Sequence, residues 1–109
     1  MHGAVINIQD GDIVDVSFPN VPAEADESYI DMLIEESVEK ILDAGKNRLD
    51  AVMVQGEFTL VYGVVNRLKN AGIKVVSACS ERKAIEYQDE YGNDIKENRF
   101  SFVRFREYR

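Results

Sequence analysis

The sequence predicts one α/β domain with a mainly parallel sheet, and three observations predict it. Asp50–Ser80 reads as strand, tight glycine turn, helix and second strand; Ala51-Val52-Met53-Val54 is almost wholly apolar; and a strand pair flanks this unit on each side. An apolar run without alternation is the mark of a strand covered on both faces. Two such strands joined by one helix pair in a single sheet as a right-handed parallel crossover, so the centre of the chain is expected to be a βαβ unit. The full expectation is a two-layer or three-layer sandwich of two main helices on this sheet, with N-terminal and C-terminal β-hairpins.

In chain order, Val5–Gln9 and Ile13–Phe18 read as strands around Asp10-Gly11, a dipeptide suited to a tight hairpin turn. Val14, Val16 and Phe18 alternate with Ile13, Asp15 and Ser17, so the second strand has one drier face and belongs nearer an edge. Pro19 and Pro22 then fix an extended connection, because each lacks a backbone donor and biases its predecessor away from helix. Asp26 or Ser28 can cap the next helix, Ile30, Leu33, Ile34, Val38, Ile41 and Leu42 form its apolar stripe, and Gly45 marks its end. In the central unit Thr59 is placed to cap a helix with Leu60, Val61, Val64, Val65 and Leu68 inward, and Gly72 supplies the left-handed C-terminal position before Ile73–Val76 resumes as strand. Ala84–Gln88 and Arg99–Arg106 predict a terminal hairpin around Asp89–Asp94. Phe100 and Phe102 share one phase while Val103 and Phe105 share the other, which means a bulge or a strand buried on both sides; the second is the expectation.

With 109 residues and 45% hydrophobic content the chain suits one compact domain. No apolar run approaches the roughly 18 residues of a membrane span, and Met1-His2-Gly3 has no signal-peptide character, so a soluble cytoplasmic protein without membrane contact is expected. One cysteine, Cys79, and one histidine, His2, leave no internal disulfide and no usual zinc ligand set; no metal or cofactor is implied, and His2 reads as a frayed terminal residue. Residues 1–45 hold eleven acids against one lysine, residues 46–80 five bases against two acids, and residues 81–109 seven of each. An acidic first half argues against a general DNA-binding or other nucleic-acid-binding surface, since such binding depends on basic groups displacing counterions, and leaves room for a small anionic ligand near local arginines.

Polar residues gather where the two central strands are expected to end, the edge at which open parallel sheets bind ligands. Gln55, Gly56, Glu57 and Thr59 stand at the first exit. A glycine turn before a helix N-terminus exposes N–H groups that, with the Thr59 hydroxyl, can hold a phosphate or carboxylate; equally, Gly56 can make a turn and Thr59 cap its own helix. No P-loop lysine or repeated-glycine fingerprint is present. Ser80 and Arg82 stand at the second exit, where a guanidinium and a hydroxyl suit an anion, unless Arg82 pairs with Glu81 or another surface acid. Glu57 and Arg82 are the catalytic candidates, the first as a general base and the second as a charge stabiliser, and Glu57 otherwise complements its helix dipole. Cys79 reads as a small thiol without an activating histidine. Arg104, Arg106 and Arg109 interleave with Phe102, Phe105 and Tyr108, either as a stacking surface for nucleobases or as an edge strand guarded by arginines.

Phe18-Pro19-Asn20-Val21, Val54-Gln55-Gly56-Glu57 with Thr59-Leu60, Ser80-Glu81-Arg82 and Phe102-Val103-Arg104-Phe105-Arg106-Glu107-Tyr108 together resemble a family of small bacterial CRISPR-associated proteins without an assigned activity, from about Gly11 to Tyr108. That resemblance implies a Rossmann-like domain, a shortened N-terminal part that lacks an opening helix, and a role in antiviral defence through cyclic oligoadenylate or another small nucleotide. It implies slow phosphodiester cleavage in which Gln55 orients a ribose hydroxyl, Thr59 and backbone N–H groups hold phosphate, Arg82 stabilises charge and Glu57 moves a proton. A homodimer would bring two such sites together. The contrasting expectation is a non-enzymatic homo-oligomeric interaction subunit that uses the acidic helix or the Phe102–Tyr108 strand.

Overall fold

The computed structural model describes residues 3–8, 13–46 and 49–109. Seven elements follow in order: β1 (Gly3–Ile8), β2 (Ile13–Ser17), α1 (Glu27–Gly45), β3 (Leu49–Gln55), α2 (Phe58–Asn70), β4 (Val75–Gln88) and β5 (Asp94–Glu107). His2 and the Asp10-Gly11 turn lie outside the described residues.

The five strands form one sheet in the order β2-β1-β3-β4-β5. This corrects the expected mainly parallel, Rossmann-like sheet: β1 is antiparallel to both β2 and β3, β5 is antiparallel to β4, and β3–β4 is the one parallel pair. The βαβ unit itself is present, with Val52 opposite Val75 and Met53 opposite Val76. It does not propagate, because β1 sits between β2 and β3 and its reversed direction turns both neighbouring contacts antiparallel. β2 is an edge strand, in keeping with its one dry face.

Both helices pack on the same face, giving two layers. Ala4 and Ile6 of β1, Val16 of β2, Val52 and Val54 of β3 and Val75 of β4 form one buried cluster with Leu33, Ile34 and Ile41 of α1 and Leu60, Val64, Val65 and Leu68 of α2. Full burial of each large aliphatic side chain contributes about 1.5–3 kcal/mol, so this single-sided core carries the fold. Gly63 of α2 lies against Ile34 of α1, where a Cβ would run into the isoleucine side chain, and its absence lets the helices approach. On the other face Ala51 and Met53 are only half-buried and no helix covers them. The apolar run of β3 is thus not covered on both sides.

Local chemistry sets the helix ends. Asp26 caps α1, its carboxylate accepting from Tyr29 N at 3.0 Å. Gly45 is the last helical residue rather than the left-handed one; Lys46 takes that conformation at φ 48°, and a Cβ on Gly45 would meet Leu49. After α2, Gly72 adopts φ 81° while Ile73 N donates to Leu68 O at 3.0 Å, the glycine-terminated closure expected there.

The largest departure lies in β4. The strand expected to stop near Val76 continues without a break to Gln88 and pairs with β5 from Val76↔Glu107 to Gln88↔Asp94. The result is a long two-stranded arm that leaves the body of the sheet, its turn tied by Asp89 Oδ1, which accepts from Tyr91 N and Asn93 N at 2.9 Å each. The Cα radius of gyration is 17.6 Å, against roughly 13 Å for a compact chain of this length. The register shifts between Cys79 and Ser80, where Cys79 opposes Arg104 and Ser80 opposes Phe102. Val103 is the extra residue of a bulge, which corrects the expectation of a two-sided buried strand: β5 is exposed along most of its length.

Candidate functional site

β2 and β3 run in the same direction, and their exits lie together with the N-termini of both helices. Gly56 turns the chain out of β3 at φ 154°, a value that side-chain-bearing residues rarely adopt. Glu57 then caps α2 in place of Thr59. Its carboxylate accepts from Thr59 N at 3.1 Å and Leu60 N at 3.0 Å, and the Thr59 hydroxyl donates to it as well. The Thr59 hydroxyl first, then the Leu60 and Thr59 N–H groups, hold the Glu57 pKa below its ordinary value of 4.5.

This geometry bears directly on the anion cradle expected at Gly56 and Thr59. The first N–H groups of α2 are aimed as such a cradle requires, but the chain's own carboxylate occupies them. A phosphate would have to displace Glu57 and meet its charge. Held ionised by three donors, Glu57 is also a weaker base than a free glutamate.

Beside this cap a cleft of about 570 Å³ runs between the N-terminal halves of the helices, with Asp26, Asp31, Glu57, Thr59, Tyr62 and Arg67 among its lining residues. Arg67 pairs with Glu35. A smaller recess of about 330 Å³ lies between the exits of β2 and β3, bounded by Asn20, Gly56 and Glu57. Tyr62, Asn66 and Arg67 escaped the sequence reading because they sit on turns of α2 that only the placement of α1 makes into a wall.

Ser80 and Arg82 do not join this site. They lie within β4, opposite Phe102 and Phe100, and no residue of β4 or β5 lines either recess. Alternation along β4 puts them on the face of Val76, whereas both helices cover the face of Val75. Gln55 shares the phase of Met53 and is exposed on that same helix-free face. Of the expected ligand residues, then, Gly56 and Thr59 meet around Glu57, and Gln55, Ser80 and Arg82 stand on the other side of the sheet. Neighbours in a strand point apart, so Arg82 does not turn toward Glu81 either. Cys79 is half-buried with Sγ 3.9 Å from Ser77 O. No group of three or more candidate metal ligands gathers among the described residues, and no helix there is long and apolar enough to cross a membrane.

The bulge at Val103 changes the meaning of the aromatic C-terminal strand. Without it Phe102 and Phe105 would face opposite ways; with it Phe100, Phe102 and Phe105 oppose Arg82, Ser80 and Ala78, all on the helix-free face. The Phe102 and Phe105 rings lie 4.9 Å apart between centroids at 57°. Arg104 and Arg106 oppose Cys79 and Ser77 on the reverse face. Arginines and phenylalanines that interleave in sequence are separated by the strand. The phenylalanines are 73%, 58% and 53% exposed for Phe100, Phe102 and Phe105, and their stripe leads, past buried Val76, to the half-buried helix-free positions Met53 and Val5 of the body.

No curated protein and no solved structure matches this chain. The model of the uncharacterized protein MJ1673 family matches residues 4–106, nearly its whole length.

Proposed function

We propose that this chain, which belongs to the uncharacterized protein MJ1673 family, is a non-enzymatic interaction subunit that associates through its β4–β5 arm and the helix-free face of its sheet. One observation carries the reading: Phe100, Phe102 and Phe105 are brought to one side by the bulge, exposed, and continuous with the apolar positions of the body. An antiparallel sheet that keeps one face in water normally places polar residues there. Here Val5, Ala51, Met53, Val76 and Ala78 form an apolar centre bordered by Asp15, Ser17, Gln55 and Glu107, the pattern of a face covered in an assembly.

Nucleotide binding, including cyclic oligoadenylate recognition in a CRISPR setting, is the second reading. The cleft beside Thr59, Tyr62 and Asn66 at the two helix N-termini favours it; the Glu57 carboxylate on the α2 N–H groups opposes it. Thermal melting of the wild-type chain and of Thr59→Ala with a panel of nucleotides, cyclic tri-, tetra- and hexa-adenylates included, separates the two. A native-state ligand raises the melting temperature. The interaction reading expects no shift at any concentration tested, while Phe102→Asp weakens association without lowering the melting temperature of the free chain. A shift of several degrees with one nucleotide, lost in Thr59→Ala, would replace it with the nucleotide reading.

A further inference from the structure

We infer that the partner of the helix-free face is a second copy of this chain, joined about a two-fold axis so that the arm of each copy lies across the body sheet of the other. This rests on the interaction reading above and adds the identity and arrangement of the partner.

Three features point to a reciprocal pair. The chain carries two apolar surfaces that it cannot bring together itself: the exposed Phe100, Phe102 and Phe105 stripe of the arm, and the half-buried Val5, Ala51 and Met53 patch of the body, which adjoins buried Val76. They lie on one continuous sheet face, so no bend of the chain folds one onto the other. A two-fold operation does what the chain cannot, because an isologous contact pairs surface A with B and B with A.

Size agrees. With strands about 4.8 Å apart and about 3.3 Å per residue, the four-stranded body face and the two-stranded arm together present on the order of 600 Å² in flat projection. Side-chain relief enlarges that area toward the ~800 Å² per partner of a standard stable interface. Either patch alone would give about half.

Charge agrees as well. Asp15, opposite Val5, and Glu107, opposite Val76, place carboxylates on the helix-free face of the body, and Arg82 stands beside Phe100 on the same face of the arm, which also carries Glu86, Asp94 and Lys96. Laying an arm on a partner's body brings Arg82 toward the body's carboxylates at the border of the apolar seam. The acidic surface of α1 lies on the far side of each sheet and faces outward, so its repulsion does not oppose the pairing.

The test is sedimentation equilibrium of the full chain, with Phe102→Asp alongside, and a disulfide-trapping variant carrying Met53→Cys and Phe102→Cys in a Cys79→Ser background. The wild type is expected at twice its 12.4 kDa mass, still dimeric at high salt because the seam is apolar. Phe102→Asp, at an exposed position that leaves the core intact, is expected to raise the dimer dissociation constant at least about thirtyfold. The double-cysteine variant is expected to oxidise to a covalent dimer. Positions 53 and 102 are separated within one chain by four paired steps of β5 and two strands, roughly 13 Å or more, beyond the ~7 Å limit for a disulfide.

A wild-type chain that stays monomeric at every concentration would overturn the second-copy inference while leaving the interaction reading to a different protein. A dimer unaffected by Phe102→Asp would overturn both. Trapping through Phe102→Cys alone, with no contribution from Met53→Cys, would overturn the arm-on-body arrangement in favour of arm against arm. A nucleotide-dependent melting shift is a separate measurement and would count against the functional reading itself.

Discussion

At Glu57 a single carboxylate serves two backbone donors and one hydroxyl at the start of α2. Two of the helix's unpaired N–H groups are thereby satisfied without water or ligand. Replacing it by alanine is expected to cost about 1 kcal/mol, the usual worth of an N-cap, read as a lower denaturation midpoint with an unchanged denaturant slope. The pH dependence follows from the lowered pKa. The folded state releases this proton more readily than the unfolded one, so the stabilisation is fully present above 4.5 and is lost as pH falls through the lower folded value. The stability advantage of wild type over Glu57→Gln should therefore stay constant from neutral pH to about 5 and shrink at more acid pH. An advantage that grows on acidification would show that Glu57 is not held ionised. Sequence reading had Gly56 and the helix start but assigned the cap to Thr59. Both residues have side-chain oxygens within reach of the first turn, and only the rotation of the chain out of Gly56 decides which one sits at the cap.

Between elements, the tightest constraint is the crossing of α1 and α2 at Gly63. Any Cβ there meets the side chain of buried Ile34. Gly63→Ala gains helix propensity of about 1 kcal/mol, since alanine restricts the unfolded chain. Forcing a methyl into a filled contact costs about 1–3 kcal/mol. The expected balance is a net loss of about 1 kcal/mol, and Ile34→Val combined with Gly63→Ala should lose less than the sum of the two single changes, because removing the isoleucine Cδ1 makes room. Strict additivity in that cycle would show that the two side chains do not share the space. The helices were legible as elements: their apolar stripes repeat over roughly two and a half turns or more, and Leu60, Val64, Val65 and Leu68 are buried as their spacing requires. The extent of β4 was not. From Ser77 onward both phases of the strand carry polar residues, and its regularity comes from thirteen register pairs with β5 rather than from a dry face of its own. The bulge at Val103 is likewise a property of that pairing, so β5 alone could show only that a phase change exists.

For the whole molecule, the distinction is between a compact body and a projecting arm, and it is set by contacts that no local pattern encodes. The βαβ unit follows from local chemistry, but whether β1 enters between β2 and β3 depends on which distant strand offers the better apolar register: Ala4 opposite Val54 and Ile6 opposite Val52. That pairing makes the sheet mixed and leaves both helices on one side. The buried apolar residues run from Ala4 to Val76, all before the arm departs. Ordering each arm residue costs about 1–2 kcal/mol of backbone entropy, and the arm recovers little of it through burial in one chain, so the proposed association predicts that the order of the arm depends on assembly while that of the body does not. Replacing residues 82–100 with Asn-Gly tests this division. Glu81 and Ser101 are register partners, and a two-residue Asn-Gly loop closes an antiparallel pair with the right twist. The shortened chain is expected to melt cooperatively with undiminished helical signal and to associate more weakly than the full chain. Its radius of gyration in solution should fall toward the roughly 13 Å of a compact domain. If the shortened chain instead loses its cooperative transition, the arm belongs to the folding unit, and its exposed phenylalanines must then be explained by folding rather than by association.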